Sequence, residues 1–118
     1  MPLPLVPLKI PEDWTVVWNH FTESEPENFI NKGYIHKDEF QEDIFYFRNE
    51  EKRRILDLGW YPAHKPSGRY RLVLIEISDS EEHSENWDDP LMSYRTRDIH
   101  KLQRKINWVL KEVSMGRV

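Results

Sequence analysis

Near the end of the chain, Ile99, Leu102, Ile106, Val109, Leu110 and Val113 recur at spacings of three and four. At 3.6 residues per turn they fall within about 100° of arc, so they form one apolar stripe along an amphipathic helix. The apolar residues before them keep a different rhythm, in short β-branched and aromatic blocks that read as strands. A single helical stripe must bury itself against another apolar layer, and strands supply that layer here. The pattern predicts an α+β fold. Its parts are an antiparallel sheet of four to five strands, this C-terminal amphipathic helix packed on one face, and a short N-terminal helix.

The expected strands are Trp14 to Phe21, Asp43 to Arg48, Arg54 to Tyr61, Tyr70 to Ile77 and a shorter Leu91 to Arg95. In the third, Leu56, Leu58 and Trp60 share a face, and Gly59 marks a bulge or a close backbone approach. The fourth runs apolar almost without break, which suits a central position with both faces partly covered. Ser24 as N-cap, acids in a first turn and Gly33 as a stop predict the short helix. For the C-terminal helix, Thr96 reads as N-cap, Asp98 as a first-turn acid, Lys111 as a cation near the end and Gly116 as C′. Trp108 breaks the pattern. It points away from the stripe, on the arc of Lys101, Arg104, Lys111 and Met115, where the N-terminal arm either covers it or leaves it exposed.

With 118 residues the chain is long enough for one core, and it is read as a single domain, 1–118. Fifteen aromatic residues argue against disorder. Without cysteine there is neither a disulfide framework nor a thiolate metal site, which suits a reducing, cytoplasmic setting. No apolar run approaches the roughly 20 residues of a membrane span. The first eleven residues interleave proline with leucine and valine and read as an extended arm with its leucines tucked against the body. Three prolines within the first eight residues and no leading basic region argue against a signal peptide there.

Charge is sorted into blocks. Residues 1–50 carry −6, 51–78 carry +3, 79–90 carry −6 and 91–118 carry +5, for a net of −4. The block 79–90 holds six carboxylates, no lysine or arginine, and Trp87. Such a run cannot bury itself, so it is expected to project as an acidic loop between the fourth strand and the final helix. Asp79, Glu81, Glu82, Glu85, Trp87, Asp88 and Asp89 are the candidate contacts for a protein partner. Tryptophan suits the centre of a docking surface, and the charges steer the encounter.

Familiar chemistry is missing from the motifs. Counted from Asp79 as an EF-hand loop, position 5 is His83, position 6 is Ser84 and position 12 is Pro90, so that reading is rejected. His20, His36, His64, His83 and His100 show no zinc spacing, and no metal ligand or cofactor is assigned. The four glycines are isolated, so there is no phosphate-cradling loop, dinucleotide fingerprint or nucleophile elbow, and no catalytic residue is assigned.

A basic set, Lys52, Arg53, Arg54, Arg69, Arg71, Arg95, Arg97, Lys101, Arg104 and Lys105, offers a nucleic-acid alternative. Its sharpest form is the helix face of Lys101, Arg104, Trp108 and Lys111. The acidic block between two basic segments, which would repel phosphate, weighs against it.

Gly59-Trp60-Tyr61-Pro62, the strand Tyr70-Arg71-Leu72-Val73-Leu74-Ile75, the stretch Trp87-Asp88-Asp89-Pro90 and the helix opening Thr96-Arg97-Asp98 resemble, in general style across 54–113, small bacterial immunity proteins of polymorphic and contact-dependent toxin systems. No motif singles out one family, and no residue role carries over. The resemblance implies a small, cytoplasmic, non-enzymatic inhibitor whose acidic surface covers a basic toxin domain.

Overall fold

The computed structural model describes residues 3–26, 40–78 and 87–118. Along the chain come β1 (Thr15–Asn19), β2 (Phe45–Asn49), β3 (Arg54–Tyr61), β4 (Arg69–Glu76), β5 (Met92–Thr96) and α1 (Ile99–Ser114). The five strands pair antiparallel in sequence order, so each is hydrogen-bonded to its neighbours in the chain. An α+β architecture with the helix on one face is what the two apolar periods require.

Alternation sorts the side chains. Phe45, Phe47, Leu56, Leu58, Trp60, Tyr70, Leu72 and Leu74 turn towards α1 and meet its stripe, Ile99, Leu102, Ile106, Val109, Leu110 and Val113, in one buried cluster. This core is rich in aromatics. Phe45 and Phe47 stack at 4.1 Å, and Trp60 meets Phe40 at 4.7 Å and Tyr70 at 5.1 Å. The Trp60 indole N–H donates to the Lys65 carbonyl at 2.8 Å, so this large side chain is buried without an orphaned donor. Gly68 lies against that indole, where a Cβ would sit 2.3 Å from Nε1.

Several expectations shift in detail. Thr96 is not the helix cap. Its pairing with Tyr70 holds it in β5, and Asp98 caps instead, accepting from the backbone N–H groups of His100 (2.9 Å) and Lys101 (3.0 Å). At the other end Gly116 does take the left-handed conformation, φ 74°, just past the cap Met115. Gly59 makes no bulge, because β3–β4 pairing runs through it. It allows a close approach, since a Cβ there would lie 2.1 Å from the Glu42 carbonyl oxygen. The irregularity falls in β1 between Val16 and Trp18. The middle strand is β3. β4 lies between β3 and β5, and Leu72 to Ile75 are buried on both faces, as their unbroken apolar run demands.

Trp14 and Phe21, expected in the first strand, lie just outside it and still enter the core. Trp14 donates to the Leu110 carbonyl at 3.1 Å.

The proline arm crosses the molecule in extended form. Val6 N–H bonds Phe21 O at 2.8 Å and Glu23 N–H bonds Pro4 O at 3.0 Å. Gln103 on α1 donates to Pro7 O, and Lys9 N–H donates to the Asn107 side chain. Val6 is buried and Leu8 packs on the core, but Leu5 turns outward, 50% exposed. The short helix expected after Ser24 falls mostly on residues 27–39, outside the described residues. So does the acidic stretch 79–86. Among the described residues no helix is long and apolar enough to cross a membrane.

Candidate functional site

The sheet's second face, away from α1, carries a different mixture. At one end Ile55, Val73, Ile75 and Ile77 form a small buried cluster with Tyr46 against it. At the other end the residues are charged. Asp57 faces Val73 across the β3–β4 ladder, Arg71 faces Gly59, and Arg69 faces Tyr61. One strand further on, Arg71 stands directly opposite Arg95.

Two adjoining cavities open here. The smaller, about 210 Å³, is lined by Asp43, Asp57, Tyr61, Arg71, Val73 and Trp87. The larger, about 550 Å³, is lined by Glu42, Tyr61, Pro62, Ser67, Arg69, Arg71 and Arg95. Tyr61 and Arg71 belong to both, with the Arg71 guanidinium 5.9 Å from the Tyr61 ring centroid.

Burial acts strongly on this chemistry. Asp57 projects from the interior of the sheet, and desolvation, reinforced by the nearby charge of Asp43 and only partly offset by Arg71, pushes its carboxyl up to about 7. A carboxyl so placed can gain or lose a proton near neutral pH. The Tyr61 phenol is also raised, chiefly by burial and then by Asp57, Glu42 and Asp43.

Of the residues expected to meet a protein partner, Asp79, Glu81, Glu82 and Glu85 lie outside the described residues. Trp87 is 40% exposed, and Asp88 and Asp89 beside it are exposed. Trp87 lines the smaller cavity, so its indole lies at the rim of the second face while the two aspartates point to solvent.

The alternative basic face also forms. Lys101, Arg104, Trp108 and Lys111 are all exposed on the outer side of α1, and Trp108 is 48% exposed. Arm residues Lys9, Ile10 and Pro11 border Trp108 without covering it. Lys105 Nζ stands 4.5 Å from the Trp108 ring centroid and 5.6 Å from that of Tyr94.

The longer basic set does not converge into one stripe. Arg69, Arg71 and Arg95 belong to the sheet's second face and Lys101 and Arg104 to the far side of the helix, with the core between them. Arg97 is committed to the fold, donating to the Pro66 and Gly68 carbonyls and lying 5.3 Å from the Trp60 ring centroid. Among the described residues no group of three or more His, Asp or Glu stands close enough to hold a metal ion.

Sequence reading did not assemble Asp43, Asp57, Tyr61 and the arginine trio as one site. The available signals were Asp57 within Leu56-Asp57-Leu58 and the period-two pair Arg69 and Arg71. Their convergence depended on strand register.

The fold and site thus define an α+β chain with one covered sheet face and one chemically mixed face. No protein-family model matches it, and no curated protein or solved structure matches it significantly.

Proposed function

We propose that the chain is a non-enzymatic, cytoplasmic protein-binding module. It inhibits a basic partner in the manner of a bacterial immunity protein, and it docks through Trp87, Asp88 and Asp89 together with the adjoining acidic residues Asp79, Glu81, Glu82 and Glu85. The observation that supports this reading most is the placing of Trp87. A large indole stands part-exposed at the rim of a cavity with two solvated aspartates beside it. Surface tryptophans at such positions anchor interfaces, and the carboxylates raise the encounter rate with a cationic partner.

The test uses the partner recovered on the immobilised protein from native lysate. Reversing Asp88 and Asp89 to lysine is expected to slow association and flatten its dependence on ionic strength, with dissociation changed less. Association that ignores both reversals would remove this rim from the account.

A second reading is supported by Trp108, which lies on a helical stripe with Lys101, Arg104 and Lys111. Such a stripe suits a nucleic-acid backbone with a base stacked on the indole. Electrophoretic mobility shift at low and moderate salt separates the two. A shift with single-stranded RNA or DNA that is lost in Trp108→Ala favours the second reading, and no shift favours the first.

A further inference from the structure

We propose that Arg69, Arg71 and Arg95, with Ser67 and Tyr61, form a binding site for a small phosphate-bearing ligand on the sheet's second face. The argument begins with register. Arg71 and Arg95 are direct cross-strand partners, and Arg69 lies two residues from Arg71 on the same face. Like charges directly opposite each other destabilise a sheet.

Most other arginines among the described residues have acceptors, the exposed Arg104 excepted. Arg48 pairs with Glu50, Arg117 pairs with Glu112, and Arg53 and Arg97 donate to carbonyls. Among the described residues Arg69, Arg71 and Arg95 have no hydrogen-bonded or ion-paired acceptor, and Arg71 Nε is buried without one. Among the described residues these are three neighbouring cations whose donors are not used up, Arg71 having only an electrostatic interaction with the carboxyl of Asp57. Such a set describes a receptor for an anion, and that anion would relieve the repulsion between Arg71 and Arg95.

Phosphate fits better than a carboxylate. One guanidinium fork satisfies a carboxylate, whereas a phosphate dianion has oxygens enough for several forks at once. The surrounding shape agrees. The cavity of about 550 Å³ takes a small molecule, with the Ser67 hydroxyl and the Tyr61 ring at its wall. Gly59, opposite Arg71, lets the Glu42 backbone and the Tyr61 ring close over the strand, and both residues line this cavity. Glu42 also lines the cavity and forms no ion pair with the trio among the described residues. Its carboxylate at the edge disfavours a long polyanion and favours one compact phosphate group.

The test is calorimetric titration of the full chain with inorganic phosphate and, separately, adenosine 5′-monophosphate, at constant ionic strength with chloride as control. Saturable binding of either is expected. Tighter binding of the nucleotide identifies an ester as the ligand, and equal binding identifies the phosphate group alone.

Arg95→Gln, at an exposed position on the edge strand, should weaken binding roughly tenfold or more, as loss of a charge-assisted hydrogen bond implies. Arg117→Gln, an exposed residue paired only with Glu112 at the end of the chain, should leave binding unchanged. The free Arg95→Gln protein should melt no lower than wild type, which confirms that its loss of binding is not a loss of fold. No saturable heat with either ligand at millimolar concentration would overturn the proposal. Equal weakening by Arg95→Gln and Arg117→Gln would overturn it too.

Discussion

The two faces of the sheet obey different rules. The face under α1 is apolar and aromatic, and its tryptophans Trp14 and Trp60 both have carbonyl partners. Packing accounts for its apolar residues, and its one buried donor without a partner among the described residues, Arg54 Nε, lies at the end of β3 where the sheet meets the turn. The other face keeps an aspartate titrating near neutrality, places Arg71 opposite Arg95, and leaves Arg71 Nε and Trp18 Nε1 buried without acceptors among the described residues. Those features oppose folding, and they gather around the cavities that Trp87 and Tyr61 border. What the contrast teaches is that stability was settled on one side of the sheet, and the proposed recognition falls on the other.

The largest effect should come from the covered face. Trp60→Ala removes the ring contacts with Phe40 and Tyr70 and the bond to Lys65, and should cost about 3–5 kcal/mol. That is a large share of a typical domain's stability, so a collapsed or absent urea transition is expected. A loss below about 1 kcal/mol would mean that this face is not the stabilising one.

Asp57→Asn should do the reverse. A carboxyl raised from 3.8 to about 7 keeps, in the folded protein, a proton that the unfolded chain has already released. Wild-type stability therefore falls as pH rises across that window. The substitution should be nearly neutral at pH 4 and stabilising at pH 8, on the order of 2 kcal/mol. The full displacement sets a ceiling of about 4 kcal/mol. Urea midpoints at the two pH values decide it, and equal differences at both would refute the burial argument.

Asp13 gives the opposite signature at the edge of the covered face. Burial pushes it up, but bonds from Ser114 (2.6 Å) and Asn49 (2.8 Å), with help from its own backbone and Lys52, leave it lowered. Its contribution is present above 3.8 and disappears as pH falls through its lower folded value. Asp13→Ala should cost about 1 kcal/mol at pH 7, moderated by solvent, and progressively less in acid. A cost that stays constant through the acid range would contradict the network.

The smallest effect belongs to Arg95→Gln in the absence of any ligand. Relief of its repulsion with Arg71 should stabilise by a few tenths of a kcal/mol, seen as a slightly higher melting temperature at low salt that vanishes at high salt. A clear loss would mean that Arg95 supports the fold.

How far the sequence revealed this depends on the distance over which each signal acts. The stripe of α1 and the alternation of Leu56, Leu58 and Trp60 are local, so helix, strands and covered face could all be read from spacing. Asp98 was misjudged as a first-turn acid because the cap depends on where β5 stops pairing, which Tyr70 decides from far along the chain. Whether the arm covers Trp108 was likewise a question of tertiary path. The opposition of Arg71 and Arg95, and the approach of Asp43 to Asp57, exist only once strand register is set. Residues 27–39 and 79–86 carry expectations, the short helix and most of the acidic loop, that lie outside the described residues.

The two exposed tryptophans offer the most direct test of where recognition occurs. Parallel capture from native lysate should use wild type, Trp87→Ala and Trp108→Ala as baits, each first shown to melt like wild type. A basic protein retained by wild type and Trp108→Ala but lost by Trp87→Ala is the predicted result. Retention by Trp87→Ala with loss by Trp108→Ala would place recognition on the helix and contradict the account.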